Sequence, residues 1–330
     1  MKQGLHFAVV GAGMAGLSCA TALRAAGIEV SVFDKCRGPS GRLSTRRGDD
    51  WQCDHGAQYF TARDARFRAE VARWQQAGVA QLWSPRLRAP GGAATAPAGG
   101  EAERFVGMPR MSTPGAWLAG VLALSTDSAI ERIEPDAGRW RLWSGRHGLL
   151  EQRWDGVALA LPAPQALPLL TPLAPRLAAL AAGAIMRPCW AMMLRFDAPL
   201  DLPFDAAFVQ QGALRWVARD GSKPGRVGAE TWLLHATPEW SEAHLEDPVD
   251  GVAAALLQAF ADLGAPPPQA WSAHRWRFAS TAPAHTEVCA WQADAGLGLC
   301  GDWLNGGTVE GAWLSGRELA GRILQSNNLG

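Results

Sequence analysis

Apolar and polar positions along the chain follow two rhythms, a period of two in short runs and a period of about 3.6 in a few longer ones. The first run, FAVV at residues 7–10, has strand character, and glycines 11, 13 and 16 follow it at once, ahead of a helical stretch rich in Ala and Leu. Gly27 ends that helix, IEVSVF alternates as a second strand, and Asp34 stands at its end. Strand, G-x-G-x-x-G, helix, strand and acid in this order predict a βαβ unit that holds an adenine dinucleotide. The first glycine permits a tight turn, the second lets a pyrophosphate come close, and the third brings helix and sheet together. The helix N-terminus faces the phosphates, and the carboxylate accepts the ribose hydroxyls. The alternative is an ordinary βαβ unit whose glycines serve packing alone, and it leaves Asp34 without a task.

Further along, Ala65 to Gln76 reads as an amphipathic helix with Phe67, Val71 and Trp74 on one face, and APGGAATAPAGG at residues 89–100 as a flexible surface excursion. RFVGMPRMSTPGAWLAGVLAL reads as a short extended piece, a loop and a helix, with Ser112 or Thr113 as cap and Pro114 in the first turn. IERIE and RWRLW, with a turn at residues 144–148, predict a small antiparallel meander, and WDGVALALPAP a buried strand after it. That order fits a dinucleotide domain with a β-crossover better than a plain alternating βα dehydrogenase. From Pro162 to about Thr286 the short runs AMMLRF, AAFVQ, LRWVARD, ETWLLHAT and WSAHRWRFAS, with the helix VAAALLQAFADLG, describe a second domain on an antiparallel sheet. LGLCGDWLNGGTVEGAWLSGRELAGRIL then gives a short strand, Gly301 and Asp302, a glycine loop and a helix starting near Thr308. An acid there can bond a ribityl hydroxyl, and the helix N–H groups can stabilise charge on a reduced flavin. A helix merely capped by Thr308 is the alternative.

Composition narrows the classes. The 330 residues carry no net formal charge, with a pI near 7.1, so no long-range positive field invites nucleic acid or an anionic membrane. Six scattered cysteines without a C-x-x-C pair or metal-ligand spacing are expected to be reduced thiols of a cytoplasmic protein. The first strand begins a few residues after Met1, so no removable signal segment is expected, and the alanine-rich run near residues 173–185 is too short and broken to span a bilayer. Sixteen Trp against one Tyr are mostly core or domain interface, with one or two available to a planar pocket. No protein partner is implied.

The loop after Asp34 carries Arg37, Arg42, Arg46 and Arg47, of which at least one suits a diphosphate and the others a solvated surface. VVGAGMAGLSCA, FDKCRGPSGRLSTRR, DHGAQYFTARD, FVGMPRMS, VALALPAPQ and CGDWLNGGTVEGAWLSG together resemble the renalase-like branch of the flavin-containing amine oxidase superfamily, over nearly the whole chain. The resemblance implies an α/β chain: a Rossmann-like ββα FAD-binding domain, discontinuous over residues 1–80, 105–165 and 287–330, with an inserted antiparallel-sheet (α+β) substrate domain at 166–286. It implies non-covalent FAD. Gly11, Gly13, Ala15 and Gly16 would hold the pyrophosphate, Asp34 and Lys35 the adenosine ribose, and Arg42 the diphosphate and flavin. Gln58 and Tyr59 match a flavin-side pair, Asp302 a ribityl or phosphate contact, and Val309, Glu310, Gly311 and Ala312 the segment beside the isoalloxazine. Leu124 falls where a backbone group meets adenine. Ser40 departs from the family's G-G-R glycine, and the added Cβ is expected to shift that loop without preventing binding.

By the same likeness the activity is oxidation of β-NAD(P)H isomers whose hydride sits at position 2 or 6 of the nicotinamide, with O2 as acceptor. Amine oxidation is the alternative, and a flavin-binding protein without catalysis a further one. Amine oxidases of the superfamily often use a lysine holding water near flavin N5 and a tyrosine cage; here lysine occurs only at 2, 35 and 223, and DGSKPG around Lys223 reads as an exposed turn. Hydride loss from a dihydronicotinamide needs no side-chain base. His55, His235 and His274 are accordingly read as structural first. His274 and Trp276, with Tyr59, are the candidates to touch substrate.

Overall fold

The structure, a computed structural model of the chain, describes residues 4–88, 94–95, 103–209, 212–281 and 287–327. It opens with β1 (His6–Val10), α1 (Met14–Ala25) and β2 (Glu29–Phe33), then a hairpin of β3 (Thr45–Arg47) and β4 (Gln52–Asp54), followed by α2 (Ala65–Gln76), β5 (Ala80–Leu82), β6 (Leu87–Arg88) and β7 (Ala94–Thr95). β8 (Phe105–Gly107), α3 (Thr113–Ala119) and β9 (Ala123–Ser125) lead to β10 (Ile130–Asp136), β11 (Arg139–Ser144), β12 (Gly148–Leu149) and β13 (Gly156–Leu159). Then come α4 (Ala163–Leu170), α5 (Pro175–Ala182), β14 (Met186–Phe196), β15 (Ala206–Phe208), β16 (Leu214–Arg219), β17 (Glu230–Ala236), α6 (Pro238–Ala243), α7 (Val249–Ala261) and β18 (Ala270–Thr281). β19 (Ala290–Gln292), β20 (Leu297–Leu299) and α8 (Val309–Ser326) complete the order.

Six strands in the order β19-β20-β13-β1-β2-β9 form the first sheet, every neighbouring pair parallel except β19 with β20. β1 is buried at all five positions because helices or the meander cover both faces, which explains its unbroken apolar run. Parallel pairing brings the C-terminal ends of β1, β2, β13 and β20 to one edge. Gly11, Asp34, Ala160 and Asp302, far apart in sequence, therefore meet there, where ligands settle in open α/β sheets. α8 lies against α1 so closely that a Cβ on Gly316 would stand 2.1 Å from the Ala15 carbonyl oxygen, and Ser18 Oγ donates to the Trp313 carbonyl at 2.8 Å.

The second sheet runs β18-β14-β17-β16-β15-β6-β7 and is antiparallel except where β6 pairs with β15. Ala94 and Thr95, inside the stretch expected to be a surface excursion, thus extend this sheet; residues 89–93 and 96–100 lie outside the described ones. A two-residue edge strand is made by main-chain bonds and leaves no side-chain pattern to read. Likewise the helix expected to run through Leu124 stops at Ala119, and Leu124 sits instead on edge strand β9 opposite Val32. α4 and α5, which the sequence did not announce, pack in one core with β13 and the meander around Trp140, Trp154 and Leu170. Another core joins β1, α1, α2 and α8 and extends to Ala206, Trp216 and Ala218 of the second sheet, so the two sheets share buried surface.

Candidate active site

Glycine chemistry at the β1–α1 turn separates packing from binding. Gly11 has φ +105°, and a Cβ there would lie 2.5 Å from the Ala160 oxygen; a Cβ on Gly16 would lie 1.9 Å from the Gly11 oxygen. The fold itself needs both. Gly13 has an ordinary extended conformation, and a Cβ on it would meet nothing within 4 Å. It caps α1, a helix of 12 residues with no capping side chain and no acid in its first turn, so its first N–H groups are left for an external acceptor. Asp34 stands beside this turn, accepting from Ala12 N at 2.6 Å through one carboxylate oxygen and from Cys36 N at 2.8 Å through the other. Each oxygen keeps a lone pair for a hydroxyl donor. Lys35 next to it is exposed.

The loop that follows crosses the mouth of this turn. Ser40 takes φ +100°, a region that favours glycine, and is held there by Ser40 N donating to Ala12 O at 2.8 Å and Ser40 Oγ donating to Ser112 O at 2.7 Å. Gly115 makes room for it: a Cβ there would stand 2.3 Å from Ser40 Oγ. Arg42 then reaches Asp302 in a close ion pair and donates to the Ala279 carbonyl at 3.1 Å, which ties the first sheet to the end of β18.

Residues 55–59 form the floor between the two sheets. Gly56 has no room for a side chain, since a Cβ would lie 1.9 Å from Arg42 O, and Ala57 N donates to that same oxygen at 2.9 Å. The Gln58 side chain turns inward: its amide nitrogen donates to Asp54 O at 2.7 Å and Gly56 O at 3.1 Å, and its oxygen accepts from Lys223 Nζ at 3.1 Å. Only its main chain is left for a flavin. Tyr59 packs among Trp83 and Trp216, ring centroids 6.3 and 5.7 Å away, with Arg104 above it. His274 and Trp276 lie elsewhere, around His55, at 5.1 and 5.3 Å; Trp276 Nε1 and His235 Nε2 both reach the His55 carbonyl oxygen. Trp216 on β16 and Trp276 on β18 are three strands apart, about 14 Å at ordinary strand spacing, so the three candidate substrate contacts form two groups rather than one.

Burial sets the protonation of the histidine group. It pulls His55 down to about 3, helped by His274, Arg46 and His235, and pulls His235 to about 4; His274 is lowered too, by burial and by Arg46. All three imidazoles are neutral near pH 7.

At the other end of the floor the exposed-turn reading of Lys223 is wrong. Its side chain is 0% exposed, and its ammonium contacts Asp54 at 3.1 Å and Asp220 at 3.0 Å, with Arg226 also on Asp54. The turn residues are polar because they bond to the β3–β4 hairpin rather than face water. Asp54, 169 positions from Lys223, leaves no local trace beside it and did not stand out in the sequence. Burial raises Asp54, but Lys223 and Arg226 more than reverse this and hold it well below the usual carboxylate range; burial and Asp54 push Asp220 up.

Past Asp302, Thr308 caps α8 by accepting from Gly311 N at 2.9 Å, and a Cβ on Gly311 would collide with the Asn305 oxygen at 1.8 Å. Val309 and Ala312 pack against the large shared core. Glu310 is spent elsewhere: its carboxylate accepts from Arg63 N at 2.7 Å and Asp64 N at 2.6 Å at the start of α2. Among the described residues no group of three or more His, Cys, Asp or Glu could hold a metal, and no helix is long and apolar enough to cross a membrane.

The profile of the flavin-containing amine oxidoreductases matches residues 121–324, more than half of the chain, and that of the NAD(P)-binding Rossmann-like domain matches residues 9–73. The chain belongs to the flavin-containing amine oxidoreductase family. Solved structures with this fold include a protein provisionally assigned as a protoporphyrinogen oxidase from Exiguobacterium sp. 255-15, at a TM-score of 0.76 and 14% identity, covering 98% of this chain and 99% of that one. A putrescine oxidase bound to putrescine (TM-score 0.72, 14% identity, 98% and 100% covered) and cyclohexylamine oxidase from Brevibacterium oxydans IH-35A (0.70, 12%, 98% and 100%) are similar in the same way. As a member of this family the protein is an FAD-dependent oxidoreductase. The open face at Gly13, the uncapped start of α1 and the lone pairs of Asp34 fit an adenine dinucleotide of that kind.

Proposed function

We propose that this flavoenzyme oxidises dihydronicotinamide dinucleotides carrying their hydride at position 2 or 6 of the ring, with O2 as the final acceptor. The reaction balances as dihydro-NAD(P) plus O2 and a proton giving NAD(P)+ and hydrogen peroxide. Bound FAD supplies the hydride acceptor at its N5. The observation that carries this reading is how the ionisable groups around the floor are engaged. Lys223 is enclosed with Asp54 and Asp220, Asp302 is paired with Arg42, and the imidazoles of His55, His235 and His274 are neutral. None of these carboxylates is free to receive a substrate ammonium, and that lysine is not free to hold a water. A dihydronicotinamide requires neither, because its own ring nitrogen drives the hydride out and the protein has only to align it.

On this reading Gly11, Gly13, Ala15 and Gly16 hold the pyrophosphate, and Asp34 with Lys35 holds the ribose. Leu124 main chain meets adenine, and Arg42 and Asp302 serve the diphosphate and ribityl chain. The main chain of Gln58, Tyr59 and residues 309–312 borders the flavin, while His274 and Trp276 face the substrate. Residues 1–80, 105–165 and 287–330 serve as the FAD-binding part and 166–286 as the substrate part. The FAD is held non-covalently, since Cys300 before Asp302 is buried and the loop from there to α8 contains no cysteine. Six unpaired thiols support a reducing, cytoplasmic setting.

The test is anaerobic mixing of the oxidised protein, separately, with 2- and 6-dihydro-NAD(P), ordinary 4-dihydro-NAD(P) and a panel of primary and secondary amines, following flavin absorbance. Rapid bleaching by either isomer, with NAD(P)+ formed and peroxide released on adding air, is expected. The 4-dihydro compound should be slower by on the order of a hundredfold, as its reactive carbon is misplaced by about 1 Å or more. Bleaching by an amine alone, with an aldehyde or imine product, overturns the substrate assignment.

A further inference from the structure

The hydride chemistry leaves the buried ion cluster at Lys223 without a role, although its four charged side chains are almost wholly out of water. Replacing such a cluster by apolar side chains is often neutral for stability, so stability alone does not explain it. Its wiring does. All three ammonium protons of Lys223 are used, on Asp54 Oδ2, Asp220 Oδ1 and Gln58 Oε1. Asp54 ends β4, and Gln58 lies four residues on, inside the floor. Gln58 also donates back to Asp54 O and Gly56 O, so Lys223 closes a ring around the chain reversal at residues 54–58. On the opposite side the same reversal is bonded to Arg42 O through Ala57 N, and Arg42 leads to Asp302 and Ala279.

We propose that Lys223 is a positioning residue for the cofactor: delivered by the turn between β16 and β17, it locks Gln58 and thereby fixes the main chain of residues 56–59 where the flavin ring is received. The proposal rests on FAD being the cofactor and holds whichever substrate is oxidised. Asp54 belongs to the same lock, anchored on its other oxygen by Thr45 Oγ1 at 2.5 Å and Met111 N at 3.1 Å. Arg226 braces it by donating to Asp54 and to Gly107 O.

The test uses the full-length protein carrying Lys223→Met together with Asp220→Asn, which removes one positive and one negative charge and keeps the cluster's net charge. Apoprotein stability is followed by urea unfolding, FAD affinity by quenching of flavin fluorescence, and flavin environment by visible circular dichroism. An urea midpoint close to wild type, an FAD Kd raised about tenfold as expected for one lost hydrogen bond to a charged group, and an altered flavin dichroism are the predicted results. Adding Gln58→Leu to the pair should cost less than Gln58→Leu costs in the wild-type protein, because the bond to Lys223 is already gone and only those to Asp54 O and Gly56 O remain to be lost. Wild-type affinity and dichroism in the pair, or a fully additive effect of Gln58→Leu, overturn the proposal. Should the pair fail to fold, Gln58→Leu alone decides it: a similar loss of affinity supports the lock, and unchanged affinity and dichroism refute it. Failure of the wild-type protein to bind FAD at all would instead remove the cofactor assignment.

Discussion

Acidification should unfold this protein through its histidine group, and His55 gives the clearest reading. The ring is 6% exposed, its Nδ1 has no hydrogen-bond partner among the described residues, and burial with His274, Arg46 and His235 lowers it to about 3, against some relief from Asp54. In the unfolded chain it titrates near its ordinary 6.5. Between those values the unfolded state binds the extra proton, so stability is fully present above pH 6.5 and falls as the pH drops toward 3. The slope approaches about 1.4 kcal/mol per pH unit, so this one imidazole removes about 2 kcal/mol between pH 7 and pH 5. That is a large share of a net stability of about 5–15 kcal/mol. The assay compares urea unfolding of the wild-type apoprotein and His55→Asn at pH 7 and pH 5. The variant starts less stable because it loses ring contacts with His274 and Trp276, but it should lose about 2 kcal/mol less over the two pH units. Equal pH dependence in the two proteins would refute a buried neutral His55.

Gly13→Ala should leave apoprotein stability within about 0.5 kcal/mol of wild type, since the methyl group meets open space, yet weaken FAD binding more than about tenfold, as titration would show; unchanged affinity would place the pyrophosphate elsewhere. Gly16→Ala, by contrast, drives a methyl group to 1.9 Å from Gly11 O and should destabilise the apoprotein itself by about 1–3 kcal/mol in urea unfolding. Gly316→Ala should also lose about 1–3 kcal/mol despite alanine's better helix propensity, because its methyl would sit 2.1 Å from Ala15 O; a neutral or stabilising result would mean that α1 and α8 do not approach so closely.

What the sequence made legible is what local rhythm and spacing encode. The β1–α1–β2 unit, the α2 helix at Ala65–Gln76, the meander and the Thr308-capped α8 all appear, because each is written in contiguous residues. Gly11 and Gly16 are required by the protein's own packing whatever they bind, whereas a Cβ on Gly13 would meet nothing within 4 Å. Ser40, conspicuous as a departure, is accommodated by Gly115, a compensation 75 residues away that no local pattern announces. The short strands β6, β7 and β9 escaped because two or three main-chain pairs suffice to make them. Lys223 escaped for the opposite reason: D-G-S-K-P-G has every mark of a surface turn, and only its tertiary partners Asp54 and Gln58 show that it is interior. Glu310 and Gln58, expected beside the flavin, turn their side chains to Arg63, Asp64 and Lys223.

The central claim, direct hydride transfer to flavin without a side-chain base, is tested most directly by single-turnover flavin reduction with 2- or 6-dihydro-NAD(P) bearing deuterium or hydrogen at the transferring carbon, across pH 6 to 9. The account predicts that deuterium slows bleaching several-fold and that the limiting rate is flat with pH, because the neutral imidazoles of His55 and His235 titrate far below this range. A limiting rate that follows a titrating group within that range, or flavin that neither isomer bleaches while an amine does, would contradict it.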